Sequence, residues 1–125
     1  MDKISTKPYF IRAIFEWCID NNYSPHILVS IDKNTLVPTN YVQENKIILN
    51  ISQEACNNME INNNFIKFQA RFNGIIENIF IPMERILYIF SKETGYGMEF
   101  QVEDIESAKT EKTEKTEKKA FSIVK

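Results

Sequence analysis

The stretch NFIKFQARFNGIIENIFI, residues 64–81, carries the strongest structural signal in this chain of 125 residues. It contains two runs rich in Ile and Phe, 64–72 and 75–81, separated by the dipeptide Asn73-Gly74. Asn-Gly is a strong signal for the two-residue turn of a β-hairpin, because both residues adopt positive φ angles at low cost. The stretch therefore predicts two antiparallel strands joined by a tight turn.

Further strands are predicted on both sides of this hairpin. They are HILVSID (26–32), KIILNI (46–51) and ILYIFSK (86–92), with a short MEF segment after Gly95 and Gly97. The segment 86–92 can alternatively begin as a helical turn at residues 82–85, PMER. Five or six short strands with short turns in roughly 75 residues predict a small β-barrel or sandwich.

An N-terminal helix is predicted over residues 7–22, KPYFIRAIFEWCIDNN. Read in steps of four, three of its four stripes are apolar, whereas a surface helix needs an apolar arc of only about 100°. Two interpretations are open: the helix packs against its own body and a second copy of the chain, or it is buried deeply in its own domain. The homodimer interpretation assigns the interface to Tyr9, Phe10, Ala13, Ile14 and Trp17.

Composition and charge exclude several classes of protein. Hydrophobic residues make up 43% and aromatic residues 12% of the chain, which excludes wholesale disorder. The longest apolar run is too short for a membrane span, and the N-terminus lacks the uncharged core of a signal peptide, so a cytoplasmic location without a membrane partner is expected. Residues 1–108 contain 9 Lys/Arg and 14 Asp/Glu, a net charge of −5, which disfavours nucleic-acid binding.

The C-terminal part has the opposite charge, since residues 109–125 contain 6 Lys and 3 Glu. A Lys-Thr-Glu repeat cannot bury enough apolar surface to form a core, so a mobile linker is predicted. The chain ends in AFSIVK, residues 120–125, which is either a docking motif or a strand folded back on the body. The predicted organisation is a helix with a β domain (1–103), a linker (104–119) and a terminal peptide (120–125).

A search for reactive groups predicts no catalytic residue, no metal site and no cofactor. His26 is the only histidine and opens a predicted strand, so a structural role is expected for it. No second histidine and no close cysteine pair complete the four ligands that a zinc site normally needs. The chain contains no glycine-rich phosphate-binding motif and no nucleophile elbow, so an enzyme is the weaker hypothesis.

The segment FQARFNG, residues 68–74, has a pattern that suits peptide binding. On a strand, Phe68, Ala70 and Phe72 share one face, and Gln69 and Arg71 share the other. A small Ala70 between two phenylalanines leaves a notch in an apolar wall, which suits an extended peptide. The simpler interpretation is that these apolar residues fill the core and Arg71 is solvated, and the residues alone favour it.

The chain resembles the stringent starvation protein B (SspB) adaptors of the ClpXP protease. The resemblance is carried by PYFIRAIFEWCIDN (8–21), SPHI (24–27), VP (37–38), KIILNI (46–51), ARFNG (70–74), the IP of IFIPMERILYIFSKETG (79–95) and the terminal IVK (123–125). It implies an Sm/SH3-like barrel or sandwich that is preceded by the helix of the homodimer contact. It also implies a bacterial cytoplasmic protein that is not an enzyme.

The resemblance further implies two binding sites. A groove on the β body would bind the ssrA tag of proteins released from stalled ribosomes, and the implied residues are Asn50, Ile51, Phe68, Gln69, Ala70, Arg71, Phe72 and Gly74. The terminal peptide would dock on the N-terminal domain of ClpX through Phe121, Ile123, Val124 and Lys125. The short linker contains lysines, where many family members have a long acidic one.

A competing hypothesis is a small-barrel RNA-binding protein, because Sm-like folds often bind RNA. The net charge of −5 over residues 1–108 argues against it.

Overall fold

The computed structural model of the protein describes residues 4–101. The elements are α1 (Lys7–Asp20), β1 (Pro25–Ser30), β2 (Lys46–Asn50), β3 (Cys56–Ile61), β4 (Phe65–Phe72), β5 (Ile75–Pro82), β6 (Ile86–Ser91) and β7 (Gly97–Glu99). The fold class predicted from the sequence, mainly β with an N-terminal helix, is confirmed. A short 3-10 turn at Met83–Arg85 precedes β6, so the helical turn considered at PMER exists but ends before the strand begins.

Within residues 4–101 the strands form two open antiparallel sheets. One has the order β2-β1-β6-β7 and the other the order β3-β4-β5. Leu36, outside these strands, exchanges backbone hydrogen bonds of 2.9 and 3.0 Å with Phe80 on β5. This contact covers part of an edge strand whose backbone groups would otherwise be open to pairing with another chain.

The β4–β5 hairpin has the turn that its sequence predicts. Phe72 pairs with Ile75 at the end of the ladder, and Asn73 and Gly74 have φ angles of 53° and 83°. Two successive positive φ angles are the signature of the type I′ turn, which matches the twist of the flanking strands. Glycine meets this requirement without steric cost, and asparagine tolerates it.

Strand β3, CNNMEI, lies outside the strands predicted from the sequence. Half of its residues are polar, the sequence shows no strict alternation, and Asn58 has a φ angle of 54°. The register against β4 shifts between Asn57 and Glu60, as expected for a β-bulge. Residues 56–61 therefore form a strand because they pair with β4, and not because of their own sequence pattern.

The core lies between the two sheets and the buried face of α1, which packs against β1, β6 and β7. Ile11 and Cys18 of α1 are fully buried, whereas Tyr9 and Phe10 are 50% and 44% exposed. The buried hydrophobic residues that share this core with Ile11 are Ile27, Val29, Ile47, Leu49, Ile51, Cys56, Ile66, Phe68, Ala70, Ile79, Ile81, Met83, Ile86 and Ile89. In the described range, no helix combines the length and the apolar character that a bilayer crossing requires.

Candidate peptide-binding site

A surface cavity of about 340 Å³ lies beside β4, where the sequence predicts a peptide groove. Its lining residues are Glu54, Ala55, Asn57, Ala70, Arg71 and Ile76. Two of the predicted groove residues, Ala70 and Arg71, therefore lie close to residues from the segment before β3, from β3 itself and from β5. The sequence pattern does not predict the other four lining residues, since they come from separate segments with no common motif.

Ala70 forms an apolar part of this cavity. It follows Ile66 and Phe68 on the buried face of β4 and is 9% exposed. It pairs with Cys56 on β3, so its methyl group lies close to a neighbouring strand.

Arg71 and Ile76 face each other across the β4–β5 ladder and give the cavity its mixed character. Ile76 is 54% exposed, so it offers apolar surface to a ligand. The Arg71 guanidinium donates one hydrogen bond of 3.3 Å to the carbonyl oxygen of Gly74. Arginine has five N–H donors, so further donors are available for the carbonyl or carboxylate groups of a bound peptide.

A ladder of side-chain amides crosses the exposed face of the same sheet. The Asn58 amide donates to Gln69 Oε1 at 3.0 Å, and the Gln69 amide donates to Asn78 Oδ1 at 3.0 Å. The three residues lie on β3, β4 and β5, so the ladder links all the strands of this sheet. Gln69 is a predicted groove residue. The carbonyl oxygen and the NH2 group of its side-chain amide are both hydrogen-bonded to residues of neighbouring strands.

The remaining predicted groove residues have different surroundings. Phe68 and Ile51 are 2% and 0% exposed and belong to the core. Phe72 is half-buried and packs on the ring of Tyr41 with the centroids 5.1 Å apart. Asn50 is exposed and accepts a hydrogen bond from the backbone N–H of Ser52, while Gly74 forms the hairpin turn. None of these five predicted groove residues is among those that line the cavity.

The predicted interface residues of α1 divide between two environments. Tyr9, Phe10 and Ala13 are exposed, whereas Ile14 packs against the core. Trp17 is half-buried, and its ring meets that of Tyr23 edge-on with the centroids 5.3 Å apart. The helix therefore buries one apolar face in its own body and leaves another in solvent.

Neither cysteine of the chain has the properties of an activated nucleophile. Burial, and then the nearby charge of Glu93, raises the pKa of the Cys18 thiol, and burial raises the pKa of Cys56 to about 11. Both thiols are therefore protonated at neutral pH, and the thiolate is the nucleophilic form.

The ring of His26 packs on Phe90, with the centroids 5.8 Å apart. Among residues 4–101, no three His, Cys, Asp or Glu side chains are grouped so as to hold a metal ion.

The terminal peptide, with Phe121, Ile123, Val124 and Lys125, lies outside the described residues, as does the linker.

Two comparisons with known proteins give the same family description. Residues 5–122 match the profile of the family described as stringent starvation protein B. A protein of Haemophilus influenzae described as stringent starvation protein B homolog is 38% identical over 100 residues, which cover 79% of this chain and 67% of the relative. The family match spans α1, both sheets and all the residues that line the cavity.

Proposed function

This chain belongs to the stringent starvation protein B family, and on that premise we propose that it is an adaptor that delivers ssrA-tagged proteins to the ClpXP protease. The adaptor is cytoplasmic, bacterial and non-enzymatic, and it acts by binding two partners at once. One site is the cavity at Ala70 and Arg71, which holds the ssrA tag. The other is the terminal peptide, residues 120–125, which docks on the N-terminal domain of ClpX.

The observation that carries the tag-binding proposal is the cavity that Ala70 and Arg71 line together with Ile76. An extended peptide needs apolar pockets for its side chains and polar groups for its backbone. The Ala70 notch and the exposed Ile76 supply the apolar surface, and the Arg71 guanidinium supplies hydrogen-bond donors. Glu54 adds a carboxylate at the same surface, so peptide groups of either charge find a partner.

The exposed face of α1 supports the homodimer. Tyr9 and Phe10 are half exposed, and Ala13 lies one turn further along the helix. Contiguous apolar surface on a small protein commonly marks an interaction site. A second copy that packs the same face against this one forms a two-fold symmetric contact, the commonest arrangement of homodimers. Each dimer then carries two tag sites and two terminal peptides.

Tethering explains how weak contacts accelerate degradation. When the terminal peptide holds the unfoldase and the groove holds the tag, the encounter of tagged protein and unfoldase becomes intramolecular. The effective concentration of the substrate then rises to about the millimolar range. Neither contact needs high affinity for delivery to be efficient.

The experiment has two arms, both with an ssrA peptide and a tagged protein as probes. Fluorescence anisotropy measures peptide binding, and a degradation assay with ClpXP measures delivery, for the full chain and for a chain that lacks residues 120–125. We expect equal peptide affinity for the two chains and accelerated degradation with the full chain alone. A full chain that does not bind the ssrA peptide, or a shortened chain that still accelerates degradation, contradicts the proposal.

A further inference from the structure

A second depression lies between the C-terminal half of α1 and β3. Its volume is about 580 Å³. We call it the helix–strand groove, and its lining residues are Arg12, Phe15, Glu16, Ile19, Asp20, Gln53, Cys56, Met59 and Ile61. Cys56 lines this groove, whereas the adjacent Asn57 lines the cavity at Ala70.

The helix–strand groove has an apolar floor. Phe15, Ile19, Met59 and Ile61 are half-buried there, and Cys56 is 8% exposed. Apolar side chains that are only partly covered gain free energy when a ligand removes the rest of their surface from water. The floor therefore suits a short segment with several bulky apolar residues.

The rim of the groove on the helix side is acidic. Glu16 and Asp20 are exposed and lie one turn apart on α1. Arg12 also lines the groove, and its guanidinium donates a hydrogen bond of 2.9 Å to Asn63 and lies 4.7 Å from the centroid of the Tyr9 ring. Its positive charge balances only one of the two carboxylates, so the rim keeps a net negative charge. An apolar segment flanked by lysines is the chemistry that complements this groove.

We propose that the terminal peptide of the same chain, residues 120–125, docks in the helix–strand groove when no other partner holds it. Phe121, Ile123 and Val124 supply three bulky apolar side chains for the floor. Lys118 and Lys119 precede them and Lys125 follows, so positive charge flanks the apolar residues on both sides and meets Glu16 and Asp20. The positive C-terminal part and the acidic rim attract each other.

The chain is long enough for this contact within one subunit. The described part ends beside the first turn of α1, where Lys7 Nζ lies 5.3 Å from the centroid of the Phe100 ring. At a rise of about 1.5 Å per residue, the far end of the helix is roughly 20 Å away. Residues 102–119, at about 3.3 Å per residue when extended, reach roughly 60 Å. The peptide can therefore arrive at any point of the groove.

Self-docking gives one peptide two alternative sites. A tethered peptide has an effective concentration in about the millimolar range, so even a weak contact with its own body is well populated. A partner that binds the same peptide must displace it from the groove, which lowers the apparent affinity for that partner. This consequence rests on the proposed function, but the self-docking itself is measurable on the protein alone.

The first test compares backbone amide NMR shifts of the full chain with those of a chain lacking residues 120–125. We expect differences concentrated in residues 15–20 and 56–61. The double variant Glu16→Lys and Asp20→Lys should remove most of these differences, whereas the charge-matched control Glu44→Lys and Glu99→Lys, on surfaces away from the groove, should retain them. Differences that are absent, or that lie on another surface, overturn the proposal.

The second test is carbodiimide coupling, which joins lysines to carboxylates in direct contact. Coupling of Lys118, Lys119 or Lys125 to Glu16 and Asp20 should exceed coupling to Glu44 and Glu99 by about fivefold, and high salt should reduce the excess by screening. In a mixture of ¹⁴N- and ¹⁵N-labelled protein, coupled peptides should carry a single label, because tail and groove belong to one chain. Mixed labels, or uniform coupling to all carboxylates, overturn the proposal. Neither test contains tag or unfoldase, so failure here is separate from failure of the adaptor function.

Discussion

The carboxylate of Glu93 accepts hydrogen bonds from both the backbone N–H and the hydroxyl group of Ser24, at 2.8 and 2.9 Å. Ser24 immediately precedes β1 and Glu93 follows β6, and the backbone N–H of Lys92 donates to the Ser24 carbonyl oxygen at 3.0 Å. One side chain thus ties the start of one strand to the end of its neighbour, in the sheet against which α1 packs.

This contact predicts a loss of stability in acid. The backbone N–H of Ser24 lowers the pKa of Glu93, and the hydroxyl groups of Ser24 and Ser91 lower it further. Because the pKa is lower in the folded than in the unfolded state, the stabilisation is present at neutral pH and is lost as the pH falls through the range of carboxyl titration. Glu93→Gln should lower the melting temperature at neutral pH and weaken its acid dependence. Glu44→Gln is the control, and equal acid dependence in both variants would contradict the prediction.

A second prediction concerns Gly97 in the edge strand β7. A Cβ atom at this position would overlap the carbonyl oxygen of Ile89 and crowd the Cα atom of Phe90 on β6. Gly97→Ala should therefore push β7 away from β6 and lower the free energy of unfolding by about 1–3 kcal/mol. Urea denaturation measures the effect, with Glu99→Ala in the same strand as the control. If the Gly97→Ala chain is as stable as this control, β6 and β7 do not approach each other closely enough for the added Cβ atom to clash.

A third prediction concerns the peptide groove. Ala70→Gln should fill the notch and weaken ssrA-peptide binding by about tenfold, which corresponds to roughly 1.4 kcal/mol. Lys67→Gln introduces the same side chain on the exposed face of the same strand and should leave affinity unchanged. Fluorescence anisotropy gives the two affinities, and thermal melting establishes that both variants are folded. Equal affinities in folded variants would place the tag elsewhere on the surface.

A fourth prediction concerns the exposed face of α1. Tyr9→Glu combined with Ala13→Glu should give monomers in sedimentation velocity, because a two-fold contact would have to bury four carboxylates without partners. Asn40→Glu combined with Gln43→Glu adds the same charge on an exposed loop and should leave the proposed dimer intact. A dimer that survives the helix substitutions would exclude this face as the interface.

The strand pattern was predictable wherever the signal lies in neighbouring residues. The hairpin at Asn73-Gly74 was confirmed because turn geometry and strand preference are both properties of a few consecutive residues. Strand β3 was missed because its polar residues carry no such signal. It pairs with β4 through backbone groups, which are the same for every residue type except proline.

The candidate site was predictable only in part. The resemblance implied Ala70 and Arg71 as groove residues, whereas the alternation of their strand alone favoured a core role for Ala70 and a solvated Arg71. Glu54, Ala55, Asn57 and Ile76 complete the cavity from two other segments. No local pattern relates them to β4, since their proximity comes from strand pairing across the sheet.

The sequence of α1 predicts its apolar faces but not which of them is buried. Spacing in α1 establishes that three of its stripes are apolar, because a helical period is a property of consecutive residues. It does not establish that Ile11 and Cys18 enter the core while Tyr9 and Phe10 face solvent. That choice depends on where β1, β6 and β7 present their own apolar surface. Contacts between residues that are distant in the chain determine which face of α1 is buried when the helix packs on the sheets.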